Sequence, residues 1–402
     1  MVMPVDMPLS KRVKDVIQQK KHIFFLSCLI LSLGQLCLSL IFPLLPWIAE
    51  ELHLSSQTIQ WIIISYLLGY GPSQLLYGPL SYRYGRRPVV LFGILISIIG
   101  FTIVIFNTDS FFYIVLGRFI QGLGGGCESV LARAIIHDSY KSKYFLTATT
   151  GLAIFSACVP VCSPIIGGII NHHYGWYSVL CCLFIYVVIV YILLIIFLPE
   201  TVIKKDTNFS LPEPIRTYRQ LIKDRYFIHY SIISSLNGAL IIFLMAWVPF
   251  VLESEFQFSS EQYAFWSVIP AIALFLSSWW SFHFRHSYST SSILMVCPII
   301  QFLSGLCLML YPHEIFFITV CFFIIGFLQG LIFPCAQALL MVPYGNYLGT
   351  VSALSGALQM VFAGLALVVI NIESITNFVT VIMFVSLCTA LMIFIDGAIM
   401  HE

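Results

Sequence analysis

Two charged residues stand deep inside apolar sequence, Arg118 and Glu128. A charge near the centre of a bilayer costs about 2.5–3.5 kcal/mol on insertion scales, so residues of this kind are kept for a reason. At about 100° per residue, Arg118, Gln121, Gly125 and Glu128 fall within an arc of about 80° of one helix. The two charges are about 15 Å apart along the axis and cannot pair within that helix. The chemistry on offer is a fixed cation and a titratable carboxyl on one polar, glycine-softened face, which is expected to border a water-filled cavity. Each charge also has a plainer reading. Arg118 could tie helices together through backbone carbonyls, and Glu128 could pair with Arg133, five residues on. Weaker polar stripes follow the same spacing at Cys28, Ser32, Gln35 and Ser39, at Tyr66, Tyr70, Ser73 and Tyr77, and at Ser352, Ser355 and Gln359. Each could line a pathway or supply hydrogen-bonded packing between helices; for the last stripe packing is the favoured reading.

Catalytic and metal-binding signals are missing. The chain has no G-x-x-x-x-G-K-[ST] phosphate loop, no H-E-x-x-H and no G-x-S-x-G. His172 and His173 read as a solvated loop pair. Cys158 and Cys162 lie one turn apart with no histidine or carboxylate beside them, which does not make a zinc site. The twelve cysteines all fall within apolar runs, where thiols act as small hydrophobes. The expectation is therefore no enzyme, no cofactor, no metal and no nucleic-acid partner. If the protein moves a solute, an ion or solute gradient must drive it.

The elements that carry these residues follow from composition. Of 402 residues, 59% are apolar and 9% charged, and the mean hydropathy is +0.96. Soluble domains are about 45–50% apolar and about 25% charged. About 20 apolar residues cross the hydrocarbon as a helix. Twelve such segments occur, at 23–46, 58–77, 88–106, 111–132, 145–170, 176–198, 228–252, 263–284, 291–311, 315–338, 350–371 and 376–397. The segments at 88–106 and 176–198 have neither charge nor side-chain amide and suit helices that face lipid.

The basic residues orient this array. Eighteen of the nineteen Lys and Arg fall before the first segment or after the second, fourth, sixth and eighth, all on one face; Arg118 is the nineteenth. The positive-inside rule makes that face cytoplasmic, with both termini inside. The stretch from Pro199 to Phe227 is the longest polar interval. It divides the chain into a cytoplasmic tail (1–22), a six-helix half (23–198), a cytoplasmic linker (199–227) and a second half (228–402). Duplicated carriers place their site near the midplane between such halves. The tail reads as a basic segment feeding a signal-anchor and not a cleaved signal. It could lie on anionic lipid as a short amphipathic helix, although a solvated tail is the simpler reading.

Residues 78–91, GPLSYRYGRRPVVL, resemble the signature between spans 2 and 3 of the major facilitator superfamily. Gly78, Leu80, Arg83, Gly85, Arg86, Arg87 and Leu91 match, and Tyr82 stands where the family has an Asp. The motif joins a tight turn at Gly85 to cations that can hold acids or helix C-termini on other spans. Asp138 and Glu200 are the matching acids, which makes this group a candidate cytoplasmic gate. RFIQG (118–122) with ARAIIHDSY (132–140) resembles the Bcr/CflA multidrug branch. SPIIGG (163–168) resembles the antiporter motif through Pro164, Gly167 and Gly168, with Pro160 one turn earlier. VPFV (248–251) and GTVSALSG (349–356) are similar to the same branch.

The resemblance implies an all-α membrane protein of twelve helices. It would be a monomeric inner-membrane carrier that exports drug-like molecules in exchange for protons. Its substrate and proton pathway would involve Arg118, Gln121, Glu128, Gln35, Ser39, Tyr66 and Tyr70. The partners implied are a small-molecule substrate, a proton or other coupling ion, and the bilayer. An endogenous metabolite such as a siderophore is the alternative cargo, and a non-transporting sensor a remote one. The branch usually carries an Asp in span 1, where Ser39 stands here, and a small residue where Glu128 stands. The membrane carboxylate is therefore expected to have moved from span 1 to span 4. An Arg118-centred site without a span 1 acid would instead suit an anionic substrate.

Overall fold

The structure is a computed structural model that describes residues 9–140, 143–202, 212–284, 290–369 and 375–399. The described residues are helical, with no strand among them. In chain order they form α1 (Leu9–Ser39), a 3-10 turn at Phe42–Leu44, α2 (Leu45–Glu51), α3 (Ser56–Ile59), α4 (Trp61–Tyr84), α5 (Arg86–Ile105), α6 (Phe111–Ser139), α7 (Lys143–Tyr174) and α8 (Trp176–Phe197). They continue with α9 (Pro212–Leu221), α10 (Arg225–Ser254), α11 (Ser260–Trp266), α12 (Val268–Phe284), α13 (Thr290–Leu310), α14 (Ile315–Met341), a 3-10 segment at Val342–Tyr347, α15 (Leu348–Val369) and α16 (Ile375–Ile399).

A helix lies at each of the twelve apolar segments. Eight spans among the described residues are long and apolar enough to cross a membrane; they comprise α5, α8 and α13 together with most of α1–α2, α7, α10, α14 and α15. The more polar α4 and α6, the short α12 and α16 occupy the other four positions. Arg285, Lys141, Lys204 and Lys205 lie outside the described residues.

Helix ends follow local chemistry. Gly85 joins α4 to α5 at φ +106° and Gly175 joins α7 to α8 at φ +78°, values that only glycine adopts cheaply. Asp224 caps α10 by accepting from the Tyr226 amide at 2.9 Å. Ser259 and Gln262 form a reciprocal capping box at the start of α11.

Helix α6 is the hub of the first group, packed against α1, α4 and α5. Glycines make that packing possible. A Cβ on Gly122 would overlap the Tyr66 carbonyl, and one on Gly124 would overlap the Gly93 carbonyl and the Ser97 hydroxyl. Helices α5 and α8 keep one bare apolar ridge each, at Phe92, Leu95 and Ile99 and at Ile185, Ile189, Ile192 and Ile196. That matches the lipid-facing reading of those two segments. Among the helices after α9, α10 packs on α14, α15 and α16. Two main seams join the groups, α4 on α15 and α7 on α11. In the first, a Cβ on Gly71 would lie 2.9 Å from the Ala357 carbonyl. In the second, His172 Nε2 lies 3.5 Å from Glu261 Oε2.

Candidate functional site

The polar face of α6 is buried: Arg118, Gln121 and Glu128 are each 1–2% exposed. It does not border a water-filled cavity, as its sequence suggested, but faces α1 and α4, because the glycines bring those helices too close to leave a channel. Arg118 donates to the Ile62 carbonyl (3.3 Å), the Cys37 carbonyl (2.9 Å) and Gln121 Oε1 (2.8 Å). Its guanidinium lies 4.4 Å from the centre of the Tyr66 ring. Arg118 thus ties α1, α4 and α6 together through backbone carbonyls, the plainer of its two readings. These bonds engage Nε and Nη1, while Nη2 is buried without a hydrogen-bond partner.

Glu128 differs. Neither carboxyl oxygen has a hydrogen-bond partner of good geometry. The Ser97 hydroxyl is near enough to act on it, but donates to the Gln121 carbonyl at 3.3 Å. Arg133 turns away and donates to the Ser129 carbonyl at 2.9 Å, so the i+5 pair, the plainer reading of Glu128, does not form. The carboxyl lies over Gly34 of α1, where a Cβ would come 2.7 Å from Glu128 Oε2. Tyr70 packs against the same glycine and stacks on Tyr66, with ring centres 5.7 Å apart. Tyr66 donates to the Gly34 carbonyl at 3.0 Å. One turn of α1, residues 34–37, is therefore held by Tyr66 and Arg118 and overlain by Glu128.

The other pathway candidates on α1 are engaged in packing. Gln35 donates to Ser156 of α7 at 2.5 Å. Ser39 donates to the Gln35 carbonyl at 2.6 Å, and Ser32 meets the Tyr186 hydroxyl of α8 at 2.6 Å. The antiporter-like segment falls inside α7 with Pro160 and Pro164. A Cβ on Gly167 would sit 3.0 Å from Leu40, which shows why a small residue is needed there, and Gly168 beside it is buried. The cysteine expectation holds in part: Cys28, Cys37 and Cys127 are buried, but Cys158 and Cys162 are exposed on α7.

The turn signature brings Arg86 to the two acids that the resemblance indicated, Asp138 and Glu200. Arg86 is 2% exposed, and its Nε donates to Asp138 Oδ2 at 2.9 Å. Its backbone amide donates to Glu200 Oε1 at 2.9 Å, and its Nη1 to Ser81. Glu200 also accepts from the amides of Thr201 and Val202. Tyr82, in place of the usual acid, lies under the Arg86 guanidinium at 4.2 Å, exchanging an ion pair for a cation–π contact. Arg87 donates to the Ile195 carbonyl at 2.6 Å. A Cβ on Gly85 would collide with Glu200, whereas Gly78 meets only Val130 Cγ1 at 3.8 Å. Arg83 lies over Tyr84. The bonds of Arg86 and Arg87 join α4, α5, α6 and α8 and do not extend to the second group of helices.

Sequence reasoning missed a second polar centre. Gln329 of α14 donates to Asn237 Oδ1 (3.1 Å) and shares its amide with Gln301 Oε1 (3.0 Å), while Asn237 donates to Thr389 (3.0 Å). All four residues are at most 1% exposed. An internal echo could have found it: FIQG at 119–122 recurs as FLQG at 327–330. The repeat extends to packing. Gly122 rests on α4, and Gly330 rests on α12 at Ser277.

An all-helical protein of the membrane is the class this architecture defines. The chain belongs to the Major Facilitator Superfamily, whose family model matches residues 25–368; it is a transporter and not an enzyme. It is 27% identical over 360 residues to multidrug resistance protein D of Escherichia coli K12, covering 86% of this chain and 88% of that protein. It is 25% identical over 297 residues to a bicyclomycin resistance protein homolog of Haemophilus influenzae, covering 73% and 74%. These relatives agree with the resemblance to the Bcr/CflA branch. Among solved structures, the D-xylose–proton symporter superposes with a TM-score of 0.72 at 14% identity, over 92% of this chain and 96% of the symporter. The human organic anion transporter MFSD10 gives 0.70 at 16%, over 93% and 99%. At these identities the likeness is one of fold.

Proposed function

We propose that the protein is a proton-coupled exporter of small drug-like or amphipathic molecules, with Glu128 as its proton-binding carboxyl. The observation that carries this reading is a membrane carboxyl, 1% exposed, whose two oxygens lack hydrogen-bond partners of good geometry. Burying a charge is costly, so a carboxyl here is placed to take up and release a proton as its surroundings close and open to water. Its position over the 34–37 turn of α1 couples that change to helix packing. The names of the bacterial relatives support drug-like cargo. Arg118, Gln121, Tyr66, Tyr70, Gln35 and Ser39 then position the helices around Glu128. The Arg86–Asp138–Glu200 cluster, with Gly78, Arg83, Gly85 and Arg87, stiffens the cytoplasmic end of the first half. Pro160, Pro164, Gly167 and Gly168 set the close approach of α7 to α1.

This reading takes all twelve helices as spans, in halves 23–198 and 228–402. Both termini are cytoplasmic, and the carrier works as a monomer in the bacterial inner membrane. The test is transport by purified protein in liposomes carrying a pH gradient. Glu128→Gln should abolish gradient-driven accumulation while leaving substrate exchange measurable, and Glu128→Asp should restore part of it. Undiminished coupling in Glu128→Gln would sink the assignment.

A further inference from the structure

At the basic end of the first helix group, α1 and α7 diverge around a cavity of about 330 Å³. Lys21 and Phe24 of α1, Tyr140 at the end of α6, and Tyr144, Thr147 and Gly151 of α7 line it. Lys21, Tyr144 and Thr147 are exposed, whereas Phe24 and Gly151 lie deeper. The cavity is thus graded, with a cation and hydroxyls outside and hydrocarbon within. Gly151 keeps the floor open; a Cβ there would already stand 3.0 Å from the Phe24 ring. The helices close again further along, where Gly167 meets Leu40. A void of this size is at the lower limit of ligand pockets, enough for one acyl chain with its head outside.

We infer that this groove binds an acidic phospholipid of the adjacent leaflet, one acyl chain against Phe24 and Gly151 and the phosphate on Lys21. Charge complementarity selects the head. Lys21 is the last of five basic residues in the first 21, against two acidic ones. The hydroxyl-bearing Tyr140, Tyr144 and Thr147 add hydrogen-bonding character to the same rim. A zwitterionic lipid would bring a second cation to Lys21 and lose the advantage. The inference is independent of the role given to Glu128.

The experiment is retention of lipid by the purified full-length protein, measured by native mass spectrometry. Phosphatidylglycerol and phosphatidylcholine with the same acyl chains are offered in equal amounts. Wild type should retain phosphatidylglycerol preferentially. Lys21→Gln should lower that preference about fivefold, the equivalent of about 1 kcal/mol for one basic residue at an anionic surface. Gly151→Leu should lower retention of both lipids by filling the floor. Equal retention of the two lipids by wild type would overturn the proposal, as would full phosphatidylglycerol retention by Gly151→Leu. If Gly151→Leu does not fold, an unchanged lipid preference in the surface variant Lys21→Gln overturns it alone. Neutralising Lys11, Arg12 and Lys14 should leave the preference within twofold. If that variant loses the preference and Lys21→Gln keeps it, the tail and not the groove is the lipid site.

Discussion

Gly34→Ala offers a direct test of where the Glu128 carboxyl lies. The new methyl would stand 2.7 Å from Glu128 Oε2, about 0.7 Å inside ordinary contact, while Tyr70 at 3.4 Å and the Gly125 carbonyl at 3.5 Å leave little room on the other sides. Overpacking on this scale costs about 1–3 kcal/mol. Alanine in a helix interior recovers about 0.5–1 kcal/mol over glycine, so the single variant should lose up to about 2.5 kcal/mol. With Glu128→Ala present the obstruction is gone, and the same methyl should stabilise by about 0.5–1 kcal/mol. The sign reversal is the signature, giving a coupling of about 1–3 kcal/mol in a double-mutant cycle. Equilibrium unfolding in mixed detergent micelles measures all four proteins. Additivity within about 0.5 kcal/mol, the usual scatter for independent sites, would refute the placement of Glu128 against α1.

Three further outcomes follow from the packing. Gly122→Ala should abolish folding, because its methyl meets the Tyr66 backbone carbonyl, which cannot rotate away, whereas Gly78→Ala should be neutral or gain up to about 1 kcal/mol; fluorescence-detected size exclusion separates these outcomes. Arg86→Gln leaves Asp138 and Ser81 without their buried donor and should cost about 3–5 kcal/mol, read by denaturant titration. A maleimide reagent should label Cys158 and Cys162 in detergent-solubilised protein and leave Cys37 and Cys127 unmodified, as peptide mass mapping would show.

Much of the fold could be read from the chain because the membrane imposes one rule, that backbone polar groups be satisfied within each spanning element. Long apolar runs must then be helices, and the structure places a helix at each of the twelve. Cation placement and the 78–91 signature are short-range features, so Arg86 was legible in the chain, whereas Asp138 and Glu200, 52 and 114 residues away, were indicated only by the resemblance to the family. Gln329 was less so. Its signal was a four-residue repeat with no charge, and an amide inside an apolar run reads equally well as packing.

An all-helical membrane protein, the positions of its helices and two charges on one face of α6 were readable from the chain alone, since composition and periodicity are local properties. What those charges meet depends on how the helices pack. Arg118 became a tie because Ile62 and Cys37, distant in sequence, bring their carbonyls to it. Glu128 was left without a partner because Arg133 turned to its own helix and Gly34 offered space but no donor. Periodicity gives the direction in which a side chain points; which backbone comes close enough to meet it depends on glycine contacts between helices that no single segment encodes.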